Sequence, residues 1–322
     1  MTPSSPKLLR RSALALGCAS LVVMAGSLAP ALASDTHRTV PAKPAGQPPV
    51  VAGARYLALG DSVPFGYRES NSIPRPNYAH QKSFVGFPED IASSLGLKVA
   101  NAACPGETTS SFINVKAQSN GCENNFVFGA KNNPSHTAGK DYRADAPLHV
   151  KYASKSESQL TYAEDYLKKW PNTRLVTLMI GANDGFLCQT EHPKDMCAGE
   201  IAALQKKLAK NVGRILKGLR NKAHYSGQIV LVPYYSFDYT NVLLTVEVQD
   251  VNSALLKGAK PYHVAIAPSF KLLEKASAGA RGNTCAAGLL TNLTTKPASC
   301  GVHPSVAGSA LLAEAVEKVI KK

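Results

Sequence analysis

The sequence predicts a three-layer α/β domain, with about five parallel strands between helices on both faces. Two observations predict it: five short, near-continuous apolar runs rich in β-branched residues, and amphipathic helical patterns between them. Strands that alternate with helices form a mostly parallel sheet covered on both sides. The length from Ala54 onward, about 270 residues, suits one domain. In order, the strands are Tyr56–Leu59, Leu97–Ala100, Leu175–Ile180, Ile229–Val232 and His263–Ile266. The clearest helix carries Ile201, Leu204, Leu208, Val212, Ile215, Leu216 and Leu219 on one face, with lysines and arginines opposite. A last helix spans about Ser305 to Val319, with Leu311, Leu312, Ala315, Val316 and Val319 as its apolar side. Two intervals, Val63–Phe87 and Phe112–Leu160, exceed what a plain connection needs and are read as functional loops that shape the substrate pocket.

The ends of the chain read differently. Lys7, Arg10 and Arg11 precede an apolar stretch from Ala13 to about Met24, and Ala31-Leu32-Ala33 follows as a cleavage site, so residues 1–33 are expected to be a secretory signal peptide. A membrane anchor fits worse, because Gly17, Ser20, Gly26, Ser27 and Pro30 interrupt the run. Arg10-Arg11 is compatible with twin-arginine export, and the flanks of Cys18 match a lipid-attachment box poorly. Residues 34–53 hold Pro41, Pro44, Pro48 and Pro49 with few large apolar side chains, the composition of an extended spacer without packed structure.

Lys and Arg number 36 against 22 Asp and Glu, and loss of the signal leaves the chain strongly basic. A basic surface favours anionic interfaces. Without C2H2 spacing, RNP-type aromatics or a long Lys/Arg run, nucleic acid is not an expected partner. The mature chain keeps six cysteines: Cys104, Cys122, Cys188, Cys197, Cys285 and Cys300. An even number in an exported chain favours disulfides. Of the fifteen possible pairings the sequential one is favoured, since each neighbouring pair closes a short loop worth roughly 3 kcal/mol. No C-x-x-C or H-E-x-x-H element supports a metal site.

Ligands of an open α/β sheet bind beyond the carboxyl ends of its strands. Strand one ends in Gly60-Asp61-Ser62-Val63, strand two leads to Cys104-Pro105-Gly106-Glu107-Thr108, strand three ends in Gly181-Ala182-Asn183-Asp184, and His303-Pro304-Ser305 precedes the last helix. Singly, each has a plainer reading as a turn or a helix cap. Together, and in this order, they resemble the SGNH, or GDSL, hydrolases over essentially Ala54–Lys322, which makes residues 54–322 the expected hydrolase domain. The resemblance implies a flavodoxin-like fold and a secreted serine ester hydrolase, an esterase or lipase acting on acyl lipids, phospholipids included. It needs no cofactor, and a monomer is expected. Carbohydrate O-acetyl esters are the alternative substrate, and a non-enzymatic polysaccharide-binding or surface-binding protein the alternative class.

A serine at a strand-to-loop turn exposes its hydroxyl, and a histidine can take its proton and return it. Ser62 is the expected nucleophile and His303 the general base. The resemblance assigns the oxyanion to the backbone N–H of Ser62, the backbone N–H of Gly106 and the side-chain amide of Asn183. His37, His80, His136, His149, His224 and His263 are read as structural. One block departs from the family pattern: the Asp usually three residues before the His is here Cys300. The carbonyl of Cys300 or Gly301 is therefore expected to orient His303, with Asp61 and Asp184 bracing their own turns. Under sequential pairing each disulfide would anchor a loop bearing one of these groups.

Overall fold

The computed structural model describes residues 46–124, 141–295 and 299–322. The expected signal peptide, the spacer as far as Ala45, His37 and His136 lie outside the described residues. The strands, in chain order, are β1 (Arg55–Gly60), β2 (Ser72–Ile73), β3 (Lys98–Asn101), β4 (Thr173–Met179), β5 (Gln228–Leu231), β6 (Ala265–Ile266), β7 (Leu290–Leu293) and β8 (Ser299–Pro304). The helices are α1 (Ser62–Phe65), α2 (Phe87–Leu95), α3 (Tyr142–Asp145), α4 (Gln159–Lys169), α5 (Ala182–Glu191), α6 (Ile201–Lys217), α7 (Val242–Ala259), α8 (Ser269–Ser277) and α9 (Val306–Glu317).

All five expected strands join one parallel sheet, ordered β3-β1-β4-β5-β6. In that order the first strand is flanked by the second and third, the flavodoxin-like arrangement, whose switch point lies between β1 and β4. Strand residues are buried on both faces: Leu57, Leu59, Leu175, Leu178 and Met179 are inaccessible to solvent. That is why these strands read as continuous apolar runs rather than as alternating ones. Helices α2, α8 and α9 pack together, and α5, α6 and α7 form a second group. The long helix stops at Lys217 and continues as a π-helical turn, Gly218–Lys222, which still buries Leu219.

Two features depart from expectation. The spacer is packed at its carboxyl end: Val50 is buried and its N–H donates to the carbonyl of Lys321 at 2.8 Å. Gln228, at the start of β5, donates to the carbonyls of Pro48 and Lys321 and accepts from the N–H of Lys321, so one amide ties both ends of the described chain to the sheet. Proline content signals extension, but an extended segment can still pair along a surface. The second feature is a small antiparallel sheet, β2-β7-β8, in which Ser72 pairs with Leu293 and Asn292 with Cys300. His303 thus sits on a strand, not in a loop, and α9 begins three residues later, capped by the Ser305 hydroxyl.

At the end of β1, Gly60 has φ +140°, and a Cβ there would collide with the carbonyl of Met179 on β4. Gly60→Ala is expected to cost about 2 kcal/mol or more, read as a lowered urea midpoint; an unchanged midpoint would show that the β1–β4 switch point tolerates a side chain.

Candidate active site

Ser62 lies two residues past the end of β1, at the switch point. Asp61 caps the four-residue helix α1 by accepting from the N–H of Val63 at 3.0 Å, and its other oxygen takes a short hydrogen bond from the Tyr234 hydroxyl. Burial drives the Asp61 carboxyl up, and the hydrogen bonds from Tyr234 and Val63 only partly offset it, leaving it at about 6. Asp61 therefore braces its own turn, as expected.

His303 is 9% exposed and lies between two partners. Its Nε2 is 2.9 Å from Ser62 Oγ, and its Nδ1 is 2.7 Å from Glu69 Oε1. This overturns the expected main-chain helper: the orienting group is a carboxylate, 234 residues away in sequence. Glu69 Oε1 also accepts from the N–H of Val302 at 3.0 Å, and Oε2 from the Thr291 hydroxyl at 2.6 Å. Burial alone would raise this carboxyl, but the charge and hydrogen bond of His303, with the bond from Thr291, bring it down to about 2. An ionised Glu69 only accepts, so Nδ1 carries the proton and Nε2 faces the Ser62 hydroxyl as an acceptor.

The physical reason for the miss lies at Gly301. A Cβ there would overlap the Glu69 carboxylate, so the glycine opens the strand to a carboxylate arriving from outside it. Cys300, which stands where the family places its Asp, is instead joined to Cys285. Glu69 is the sole acidic residue in the long interval Val63–Phe87. That was the available signal, but no local spacing connects it to His303. The Tyr67 ring lies 4.9 Å from the imidazole, and the Tyr235 hydroxyl donates to the carbonyl of Val302 at 2.7 Å, which holds the strand just before His303.

The groups proposed to bind an oxyanion share one buried network. Gly106 has φ +79° and packs against the carbonyl of Asn120, leaving no room for a Cβ. Asn120 accepts nothing from Gly106 but gives its own N–H to the Gly106 carbonyl at 2.7 Å and its side-chain amide to Asn183 Oδ1 at 2.9 Å. Sequence reasoning missed Asn120, which lies in the long second loop. Asn183 Nδ2 donates to the carbonyl of Glu107 at 3.1 Å, which leaves its second amide hydrogen for a ligand. Asp184 does not brace its own turn as expected: it accepts from the N–H and hydroxyl of Thr109, at 2.7 and 2.9 Å, and so ties the Asn183 helix to the Gly106 loop. Burial pushes Asp184 up, opposed by Lys207 at 3.5 Å. Beneath them Gln159 bonds both the N–H and the carbonyl of Gly60 and also Glu107, whose carboxyl is raised well above its ordinary range by burial and by the neighbouring Glu123.

The sequential disulfides Cys104–Cys122, Cys188–Cys197 and Cys285–Cys300 are all present. Cys104, Glu107 and Cys122 are the one cluster of metal-ligating types among the described residues, but its two sulfurs are joined to each other. His149 contacts the carbonyl of Phe65 at 3.0 Å, and His224 and His263 adopt left-handed backbone at turns.

Ser62, Asn183 and His303 open into a cavity of about 120 Å³. Its apolar wall comes from Phe186 on α5, Tyr235 and Phe237 after β5, and Leu244, Val248 and Val251 on α7. The two long loops were expected to shape this pocket, but of them Val63 alone lines it. Positions 244, 248 and 251 share one helical face, which the buried Leu255 continues towards the carboxyl end of α7.

A serine, a histidine and a carboxylate in a relay, at the switch point of a flavodoxin-like sheet, define a serine-hydrolase type of site. The chain belongs to the GDSL-like lipase/acylhydrolase family, whose model matches residues 58–311, and it is a carboxylic ester hydrolase. Among solved structures it is similar to phospholipase A1 from Streptomyces albidoflavus NA297, at 16% identity and TM-score 0.51, covering 83% of this chain and 100% of that one. An extracellular lipase from Streptomyces rimosus is 16% identical with TM-score 0.49, over 83% and 100% of the two chains. An acetyl xylan esterase from Geobacillus stearothermophilus is 15% identical with TM-score 0.47, over 84% and 95%. The likeness to the phospholipase speaks to the fold alone. No curated protein matches the chain.

Two outcomes are expected. Glu69→Ala should lower kcat on the order of 10³- to 10⁴-fold with KM little changed and the circular dichroism spectrum retained; wild-type turnover in the folded variant would remove Glu69 from the relay. For Asp61, a raised carboxyl stabilises the fold fully below its ordinary value near pH 4, and that contribution is lost as pH rises through about 6. The loss is no more than about 3 kcal/mol. Asp61→Asn, which can still accept from Val63, should flatten the fall in Tm between pH 4 and 7, and an unaltered slope would place its origin elsewhere.

Proposed function

We propose that the protein is a secreted acyl ester hydrolase that works through an acyl-enzyme at Ser62. The Ser62 hydroxyl gives its proton to His303 Nε2 while Oγ bonds to the ester carbonyl carbon. Charge develops on the carbonyl oxygen, for which the N–H groups of Ser62 and Gly106 and the Nδ2 of Asn183 are the donors, each worth roughly 3 kcal/mol or more. The imidazolium, steadied by ionised Glu69, returns its proton to the leaving alkoxide, and the alcohol departs. Water then repeats the sequence with His303 as base, and the carboxylic acid is released.

The observation that carries this reading is the continuous Ser62–His303–Glu69 relay facing an apolar cavity. That cavity's 120 Å³ is close to the roughly 150 Å³ that takes up benzene in an apolar core, so it suits about six carbon atoms beyond the carbonyl. Acyl lipids fit such a lining better than acetylated sugars do, since an acetyl group would leave most of the apolar wall in water. The three disulfides favour an oxidising compartment outside the cell.

Turnover of p-nitrophenyl esters from acetyl to dodecanoyl tests both parts. Ser62→Ala should abolish hydrolysis of all of them, and equal turnover by variant and wild type would end the acyl-enzyme reading. Val248→Trp, which fills the cavity, should shift the hexanoyl-to-acetyl ratio of kcat/KM at least about tenfold towards acetyl. Preference for acetyl in the wild type, with release of acetate from acetylxylan, would instead identify a carbohydrate O-acetylesterase.

A further inference from the structure

A second cavity, of about 300 Å³, is lined by Arg68, Arg75, Lys82, Val85, Pro304 and Val306, among others. It is built by the two segments that carry the His303–Glu69 pair: Arg68 precedes Glu69, and Pro304 follows His303. No acidic residue lines it, and among the described residues none of the three cations pairs with a carboxylate. Arg68 gives one Nη2 hydrogen bond to the carbonyl of Ile73 at 3.2 Å, while its Nε is buried with no acceptor. The planar fork of a guanidinium matches the oxygens of a phosphate. Around these cations three aliphatic side chains face water: Ile73 is 56% exposed, Val85 53% and Val306 80%.

We propose that this face docks the protein on anionic phospholipid surfaces, with a lipid phosphate in the Arg68–Arg75–Lys82 cavity and the aliphatic rim at the headgroup boundary. The pairing of the two features selects the occupant. A soluble phosphate would satisfy the cations but leave the rim in water, and an uncharged lipid surface would cover the rim but leave the three cations without a counter-charge. A lipid headgroup with its acyl boundary satisfies both. The chain's excess of Lys and Arg adds long-range attraction to the same surface. Docking does not depend on the hydrolytic reading of Ser62.

The test uses vesicles of diether lipids, which contain no ester to cleave: an equal mixture of phosphatidylglycerol and phosphatidylcholine against phosphatidylcholine alone, scored by co-sedimentation. The wild type should bind the anionic vesicles and release from them as salt is raised. Each surface cation contributes about fivefold, so Arg75→Gln with Lys82→Gln should weaken partitioning roughly 25-fold. Val85→Ser with Val306→Ser should weaken it several-fold. All four residues are exposed, and both variants should keep the wild-type circular dichroism spectrum and turnover of a soluble butanoyl ester. Equal binding to the two kinds of vesicle would overturn the proposal, and so would unchanged partitioning of both variants. If only the charge variant loses binding, and inorganic phosphate displaces the wild type at an ionic strength at which chloride does not, the cavity takes a phosphate without the aliphatic rim and the proposal is overturned.

Discussion

The contact between Glu69 and His303 is the constraint around which this end of the molecule is organised. A histidine base must present one nitrogen to the nucleophile and have the other held, and the holder here must be brought from a loop that follows the first strand. The β2-β7-β8 sheet does this: β2 carries the end of the Glu69 loop, β7 supplies the Thr291 hydroxyl, and β8 supplies both His303 and the N–H of Val302. The Cys285–Cys300 bridge and the absent side chain at Gly301 serve the same contact, one by fixing the strand and the other by leaving space beside it. With donors from Thr291, Val302 and His303 converging on it, Glu69 stays ionised wherever a histidine can act as a base.

The rest of the site rests on buried polar groups that are costly unless paired. Gln159 meets both backbone groups of Gly60, Asp184 meets both groups of Thr109, and Asn120 joins the Gly106 loop to Asn183. The first ties the end of β1 to the start of α4, and the other two join the segment after β3 to α5, which follows β4. The groups proposed to bind the oxyanion are thus placed by the protein before any ligand arrives, which is the condition under which fixed dipoles stabilise developing charge most effectively. The raised carboxyls of Asp61, Asp184 and Glu107 record what this arrangement costs in stability.

The five strands of the sheet, the long helix beginning at Ile201, the last helix and the sequential disulfides were legible because each leaves a local trace: β-branched runs, a helical period, or cysteines close in the chain. Ser62, Gly106, Asn183 and His303 were legible as blocks at strand ends, since turn chemistry confines them to a few residue types. Other features were hidden. Helix α7, whose Leu244, Val248 and Val251 wall the cavity, is apolar on its exposed side too, at Val242 and Leu243, so its pattern does not mark an inner face. The packing of Val50 against the end of the chain left no trace in a segment whose prolines suggested only extension.

By itself the sequence determined the sheet, the order of its strands along the chain and the residues at their carboxyl ends, because hydrophobic period and turn preference act over a few residues and are written in neighbouring side chains. Tertiary structure alone decided which carboxylate orients His303, which amide couples the proposed oxyanion donors and which helix walls the cavity beside Ser62. Those choices are contacts between segments up to 234 residues apart. They depend on strand pairing in the second sheet and on the space left at Gly301, and no spacing in the chain encodes either.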